Sequence, residues 1–196
     1  KTITIHQLLN HTSGIKSYTS MMNFLSITRT DMSPKELIDV FKNEPMDYDP
    51  GEHFLYNNSG YILLGYIIEV ISGQTFVDFI ENNIFEKLGM NASYYGSKKK
   101  IFSQRASGYS KSENGYANAD YLSLTLPYAA GSIMSTTGDL LIWQNALNNH
   151  VLISKASYEK AIHGSTLNSG EHINYGYGLS DVAINGSKSI QHGGGI

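Results

Sequence analysis

The sequence has no cysteine, a single tryptophan and only four prolines in 196 residues. The missing thiols exclude disulfide frameworks, thiolate zinc sites, cysteine nucleophiles and iron–sulfur ligation together, while leaving the compartment open. Charge is sparse too: charged residues make up 16% of the chain and the formal net charge at pH 7 is −3. That balance supplies no basic field for a phosphate backbone, so nucleic acid is disfavoured as a partner. The most apolar stretch, Tyr61 to Ile71, is eleven residues long and carries Glu69. A membrane span needs roughly 20 apolar residues, so none is expected in this segment. Neither His-Glu-x-x-His nor Gly-x-Ser-x-Gly occurs, which argues against a zinc peptidase and an α/β-hydrolase. Of the seven histidines only His6 and His11 are close, and a spacing of five puts them on different faces of a helix. No metal and no cofactor is implied.

What is present is globular. Hydrophobic residues reach 41%, enough to build a core, and the length suits one domain or one plus part of another. Thr4 with Gln7 forms a capping-box pattern opening a short helix through Leu8 and Leu9, stopped by Ser13 and Gly14. Ser33, Pro34 and Glu36 repeat the signal before Leu37, Ile38 and Phe41, predicting a helix to about Lys42. From Gly60 to Ile71 apolar residues cover the whole helix circumference, which predicts a buried central helix closed by Gly73. Thr75 and Asp78 cap the next, ending near Leu88 and Gly89; Thr136 and Asp139 cap another with Leu140, Leu141, Trp143, Ala146 and Leu147 as its apolar face. Ser154 to Ile162 adds a shorter helix.

Residues 91 to 130 lack a sustained period and predict an irregular loop, with Lys98 to Lys100 as a solvated face. After His163 the texture changes: Tyr175 to Ile184 alternates as a strand would, and Ser187 to Gln191 reads as a second. Two short strands make a marginal sheet, so they should belong to a larger one. The expected organisation is a helical domain over 1–163 and a β-strand segment over 164–196. The fold class is helix-rich α+β. The chain starts at Lys1 with no charged-then-apolar leader and stops just after three glycines, so it reads as an internal fragment.

Two segments suit chemistry. Pro50 and Gly51 introduce Tyr56, Asn57, Asn58 and Ser59 just before the central helix. In an extended segment Tyr56 and Asn58, two apart, face the same side. A phenol with a free pKa near 10 becomes a base only beside cationic groups, so this pair needs an ammonium nearby. The competing reading is structural, with Asn58 or Ser59 capping the helix and Tyr56 packing. The second segment is His192, Gly193, Gly194 and Gly195 at a strand end, where glycines leave N–H groups open to a ligand. Its competing reading is a tight turn with a surface histidine.

Taken in order, Ile3 to Ile15 (ITIHQLLNHTSGI), Pro50 to Gly65, Phe85 to Met90, Ala129 to Thr136 and His192 to Gly194 resemble the serine β-lactamase and penicillin-binding-protein-like family. The branch resembled is that of class C enzymes, D-alanyl-D-alanine peptidases and esterases, and the resemblance runs through nearly the whole chain. That family uses Ser-x-x-Lys, Tyr-x-Asn, and Lys or His followed by x-Gly. Tyr56-Asn57-Asn58 looks like the second element and His192-Gly193-Gly194 like the third. The resemblance implies the penicillin-recognising fold, with these residues contributing its helical domain and the last strands of an incomplete antiparallel sheet. It implies that Tyr56 shares a general-base role with a lysine, that Asn58 binds the substrate amide and steadies that lysine, and that His192 lines the opposite wall. Gly194 and Gly195 would contact substrate, the Gly195 N–H as one of two oxyanion donors.

The first element departs from the pattern. Ser-x-x-Lys occurs at Ser13/Lys16, Ser97/Lys100 and Ser157/Lys160, none of them at the start of a buried helix where serine and lysine meet one turn apart. The resemblance puts the nucleophile helix upstream of Ile3, so the expectation is an acyl-enzyme hydrolase of a peptide, β-lactam or ester whose serine is not in this segment. The 196 residues alone should then be inactive. Imidazole is mostly neutral at pH 7, so His192 in place of lysine implies a weaker hold on a carboxylate and inefficient β-lactam hydrolysis. The rival reading is a catalytically inactive sensor of cell-wall peptides or β-lactams. A third is an interaction domain or one half of a split protein. By resemblance the protein works outside the cytoplasmic membrane, on a small molecule or cell-wall peptide.

Overall fold

The computed structural model describes residues 1–97 and 100–195. Seven helices and four two-stranded antiparallel sheets occur among them. Locally encoded caps start most helices. The Thr4 hydroxyl accepts from Gln7 N–H and the Gln7 side chain accepts from Thr4 N–H, opening α1 (Ile5–Leu9). A short helix α2 (Phe24–Ile27) follows. Ser33 and Glu36 make the same reciprocal pair at α3 (Pro34–Phe41), and the Ser33 N–H and hydroxyl, both donating to the Glu36 carboxylate, hold that carboxyl below its usual pKa.

The long helix α4 (Asn58–Ser72) ends on Gly73 in the left-handed region. Thr75 caps α5 (Phe76–Leu88), whose middle, Glu81–Phe85, is a π turn. Thr136 caps α6 (Thr137–Asn148) and Ser154 caps α7 (Lys155–Ile162).

The expected burial of α4 on all sides is corrected by the structure. Ile62 is fully buried and Gly60 and Gly65 are buried, but Val70 and Ile71 are exposed: near the end of the helix Ile68 still packs against the core, while Val70 and Ile71 lie where nothing covers them. Among the described residues no single helix is long and apolar enough to cross a membrane; α4 and α5 pass that test only as a pair bent by 82°.

The core gathers Leu37 and Phe41 of α3, Ile62 of α4, Phe76, Ile80 and Phe85 of α5, with Met90, Leu126, Tyr18 and Tyr128. Burying one such side chain contributes about 1.5–3 kcal/mol. Gly65 permits a close crossing: a Cβ there would stand 2.4 Å from Ala129 Cβ and 2.7 Å from Tyr128 Cε1. This contact brings the turn Tyr128–Ala130, and with it Pro127 and Gly131, beside the middle of α4.

The stretch expected to be irregular holds more structure than its composition suggests. β1 (Tyr94–Tyr95) pairs with β4 (Ile133–Met134), and an exposed hairpin joins β2 (Tyr109–Ser112) to β3 (Gly115–Asn118). Lys98 and Lys99 lie outside the described residues, while the Lys100 ammonium sits 4.9 Å from the Tyr94 ring centroid. Further on, β5 (Ser165–Thr166) pairs with β6 (His172–Ile173), and β7 (Ser180–Ile184) with β8 (Ser187–Gln191). The single strand expected over Tyr175–Ile184 is therefore shorter. Gly178, at φ +74°, turns the chain, so Tyr175 meets Ser180 in an isolated bridge before β7 begins. The mixed helix and antiparallel strand content agrees with the α+β expectation.

Candidate active site

Residues 11 to 18 and the Tyr56 turn fold against each other because their polar groups complement one another. Gly14 sits at φ +75°, with the Tyr48 carbonyl oxygen 2.0 Å from where a Cβ would be, so only glycine fits that turn. Asn57, at φ −143° and ψ 105°, is the N-cap of α4: its side-chain oxygen accepts from Gly60 N–H at 3.0 Å and its amide donates to the Ile15 carbonyl. The cap is thus neither Asn58 nor Ser59, contrary to the structural alternative read from sequence. The extended backbone of Asn57 is what an N-cap requires, and it leaves the Asn58 side chain free for other contacts.

Asn58 is the first helical residue rather than part of an extended segment. Its Nδ2 donates to Thr19 Oγ1 at 3.1 Å, and its N–H donates to Ser17 Oγ at 3.3 Å. Ser59 Oγ accepts from the Tyr18 N–H at 2.8 Å, and the Tyr18 hydroxyl donates to the Leu126 carbonyl at 2.7 Å. These bonds fix the wall of Tyr18 and Thr19 to the start of α4.

The opposite wall follows β8. His192, the residue after the strand, brings Nε2 to 3.4 Å from the Tyr56 hydroxyl, with the two rings 5.9 Å apart. Together these walls enclose a cleft of about 750 Å³ lined by Tyr56, Asn58, Tyr175, His192, Gly194 and Gly195 among others. The structure therefore brings together all five residues singled out from sequence. A Cβ on Gly194 or Gly195 would meet nothing within 4 Å, so both face open space.

Burial raises the Tyr56 phenol above its ordinary value of 10. No side chain described near it reverses that shift, so Tyr56 is not a base by virtue of its described neighbours. Nor do the Ser-x-x-Lys matches supply a serine–lysine pair. Ser13 is buried, yet Lys16 is engaged with Asp47, and the Ser157 N–H donates to the N-cap Ser154 on an exposed helix start. Among the described residues no cluster of three His, Asp or Glu could hold a metal ion.

Four contributors escaped the sequence reading. Tyr18 and Thr19 line the cleft from a short 3-10 turn, and Tyr175 lines it from a loop. His11 stands behind Tyr56, their rings 4.3 Å apart. Its place in the run LLNHTSGI was the one available signal; Tyr175, 164 residues away, gave none.

This two-walled cleft has relatives. The Beta-lactamase family profile matches residues 1–196. The chain belongs to the Beta-lactamase family. It is 32% identical over 215 aligned residues to a penicillin-binding protein of Bacillus subtilis, covering 98% of this chain and 46% of that protein. It is 34% identical over 113 residues to a mitochondrial serine β-lactamase-like protein of Mus musculus, covering 57% of this chain and 20% of that one. Among solved structures, a D-stereospecific amidohydrolase from Streptomyces superposes with a TM-score of 0.83 at 30% identity, over 99% of this chain and 61% of that chain. This Beta-lactamase family chain thus spans 46% of its Bacillus relative, and the shared fold is the penicillin-binding-protein and β-lactamase fold.

Proposed function

We propose that these residues form the substrate cleft of a serine hydrolase that acts by acylation and deacylation on a peptide, β-lactam or ester. The observation that carries the reading is the meeting of Tyr56 and His192 in the cleft, 3.4 Å apart, with Asn58, Gly194 and Gly195 lining the same cleft. In this reading an ammonium and a serine from a Ser-x-x-Lys helix outside these residues enter beside Tyr56. The ammonium offsets the burial that raises the phenol, and the pair then takes the serine proton as the hydroxyl attacks the acyl carbon. The same proton passes to the leaving group as the tetrahedral intermediate collapses. Water, deprotonated by the same pair, then attacks the acyl-enzyme ester; as the bond to serine breaks and the acid product leaves, that proton returns to the serine oxygen.

Asn58 donates to the substrate amide, His192 hydrogen-bonds the far end of the substrate, and the Gly195 N–H takes the oxyanion together with the N–H of the serine. No step needs a cofactor. Without the serine and lysine these residues bind and orient but do not acylate. A relative described as D-stereospecific, and another described as a penicillin-binding protein, support substrates of the D-amino-acid peptide type. We take the site of action to be outside the cytoplasmic membrane, as for penicillin-binding relatives; the mitochondrial relative shows that the family is not confined there.

The test is intact-mass spectrometry of the full-length protein after exposure to a fluorescent penicillin and, separately, a fluorophosphonate. One adduct on a serine upstream of Ile3 is the expected result. Silence from both probes overturns the hydrolase reading in favour of a sensor that holds ligands with Tyr56, Asn58 and His192.

A further inference from the structure

We infer that His11 is a positioning residue that locks the Tyr56–Asn58 turn to the wall bearing Tyr175 and His192; the catalytic part of this inference rests on the hydrolase reading above. His11 is 1% exposed and touches the cleft only through other residues. It is held at φ +60°, a left-handed conformation that costs a non-glycine residue energy and persists only where the surroundings demand it.

Its bonds explain the demand. The His11 carbonyl accepts from Leu55 N–H at 3.1 Å, and ring Nδ1 accepts from Asn57 N–H at 3.0 Å. One residue therefore grips the backbone on both sides of Tyr56. The Tyr56 ring rests against the imidazole, 4.3 Å away between centroids.

The direction of each proton is forced. A backbone N–H only donates, so Nδ1 is bare and Nε2 carries the hydrogen. Nε2 then donates to the Tyr175 hydroxyl at 3.1 Å. The Tyr61 ring also packs by the imidazole, 5.1 Å away between centroids, and its hydroxyl donates to the Leu9 carbonyl at 2.8 Å. The bonds from Asn57 through His11 to Tyr175 are thus oriented in one direction.

Tyr175 is also a cleft wall, its ring 6.3 Å from that of His192 and 5.4 Å from that of Phe54. Through it the imidazole ties the two faces that must stay in register for Tyr56 and His192 to meet. Protonation would place a hydrogen on Nδ1 against the Asn57 N–H, but burial pushes the imidazole down to about 4, so the ring is neutral at pH 7. The groups facing it are the phenols of Tyr56, Tyr61 and Tyr175, with His192 adding a smaller repulsion.

The experiment compares His11→Leu, which removes both ring bonds, with His11→Asn, whose side-chain oxygen can replace Nδ1 as acceptor. Both are made in the full-length protein. Amide hydrogen exchange is followed at residues 55 to 57, with α4 residues 62 to 68 as reference. We expect His11→Leu to speed exchange at 55 to 57 by tenfold or more while the reference changes less, and His11→Asn to restore most of the protection. Acylation by whichever probe labels the wild type, counted per titrated site, should fall tenfold or more in His11→Leu and recover to within about threefold in His11→Asn, since small misplacements of reacting groups carry large rate costs.

Unchanged exchange at 55 to 57 in His11→Leu, or equal acylation per site in the two variants, overturns the inference. If His11→Leu does not fold, 15N-histidine spectra of the wild type decide: a bare Nδ1 and protonated Nε2 at pH 7 support it, and the opposite tautomer overturns it. If the wild type takes neither probe, the hydrolase reading fails alone, and exchange and tautomer still judge the positioning role.

Discussion

The Tyr56 hydroxyl and the His192 imidazole, 136 residues apart in sequence, stand 3.4 Å apart across the cleft. Neither is held by its own element alone. Tyr56 is fixed by the Asn57 cap and by His11, and His192 by the β7–β8 pairing that ends at Gln191 opposite Ser180. The distance is at the outer limit of a hydrogen bond.

Removing the phenol should separate binding from chemistry. Tyr56→Phe keeps the ring against His11 and deletes only the hydroxyl. In the full-length protein we expect acylation to fall at least about a hundredfold, the usual range for a lost acid–base group, with noncovalent ligand affinity within about threefold of wild type. Stopped-flow labelling and equilibrium binding measure the two quantities. An unchanged acylation rate removes Tyr56 from the proton path.

Stability should depend on pH through His11. Its imidazole titrates at about 4 in the folded chain against 6.5 when unfolded. Between those values the unfolded chain binds a proton that the folded chain refuses, so stability falls as pH drops from about 7 to 4. The whole effect is on the order of 3 kcal/mol. Urea unfolding at several pH values should show that loss, and His11→Asn, with nothing to titrate there, should show a correspondingly flatter curve. Parallel curves for the two proteins would contradict the assignment.

How far the sequence revealed this arrangement depended on distance along the chain. The capped helices were legible because Thr4 with Gln7 and Ser33 with Glu36 are three residues apart, and their hydrogen bonds form wherever the rest of the chain goes. That Tyr56, Asn58 and His192 line one cleft was legible through the family resemblance; the extended-segment spacing of Tyr56 and Asn58 was not a guide, since Asn58 already opens α4. The His11–Tyr175 bond was not, since nothing local in either segment announces a partner 164 residues away. Turn geometry also escaped: Tyr175 to Ile184 alternates like a strand, but Gly178 breaks it in the left-handed region. The apolar circumference of α4 predicted burial that Val70 and Ile71 do not have, because periodicity records a helix's composition and not what packs on each side.

The crossing at Gly65 should tolerate no side chain. A methyl there meets Ala129 Cβ at 2.4 Å and Tyr128 Cε1 at 2.7 Å, both on a turn packed into the core. Overpacking costs about 1–3 kcal/mol, against up to about 1 kcal/mol gained by replacing a helical glycine with alanine. Gly65→Ala should therefore lower the melting temperature by a few degrees. Since the displaced turn carries Ala130 and Gly131 into the cleft lining, ligand affinity should weaken as well. A melting temperature at or above wild type would show that the turn can retreat without loss.

The last prediction concerns substrate choice. His192 occupies the wall where, by the family pattern, a lysine can stand instead. An imidazole offers a directed hydrogen bond from a flat ring; an ammonium offers three donors and a compact charge on a flexible stem. Exchanging them should therefore matter only for substrates that bring a carboxylate to that wall. In His192→Lys we expect the acylation efficiency toward a carboxylated penicillin to rise several-fold. Toward a neutral ester of similar size it should hold steady or fall, because the Tyr56 contact is lost. Raising the salt concentration should erase most of the gain, since a partly exposed ion pair is screened. If both substrates gain equally, the wall does not read the carboxylate, and His192 acts through Tyr56 rather than on the substrate.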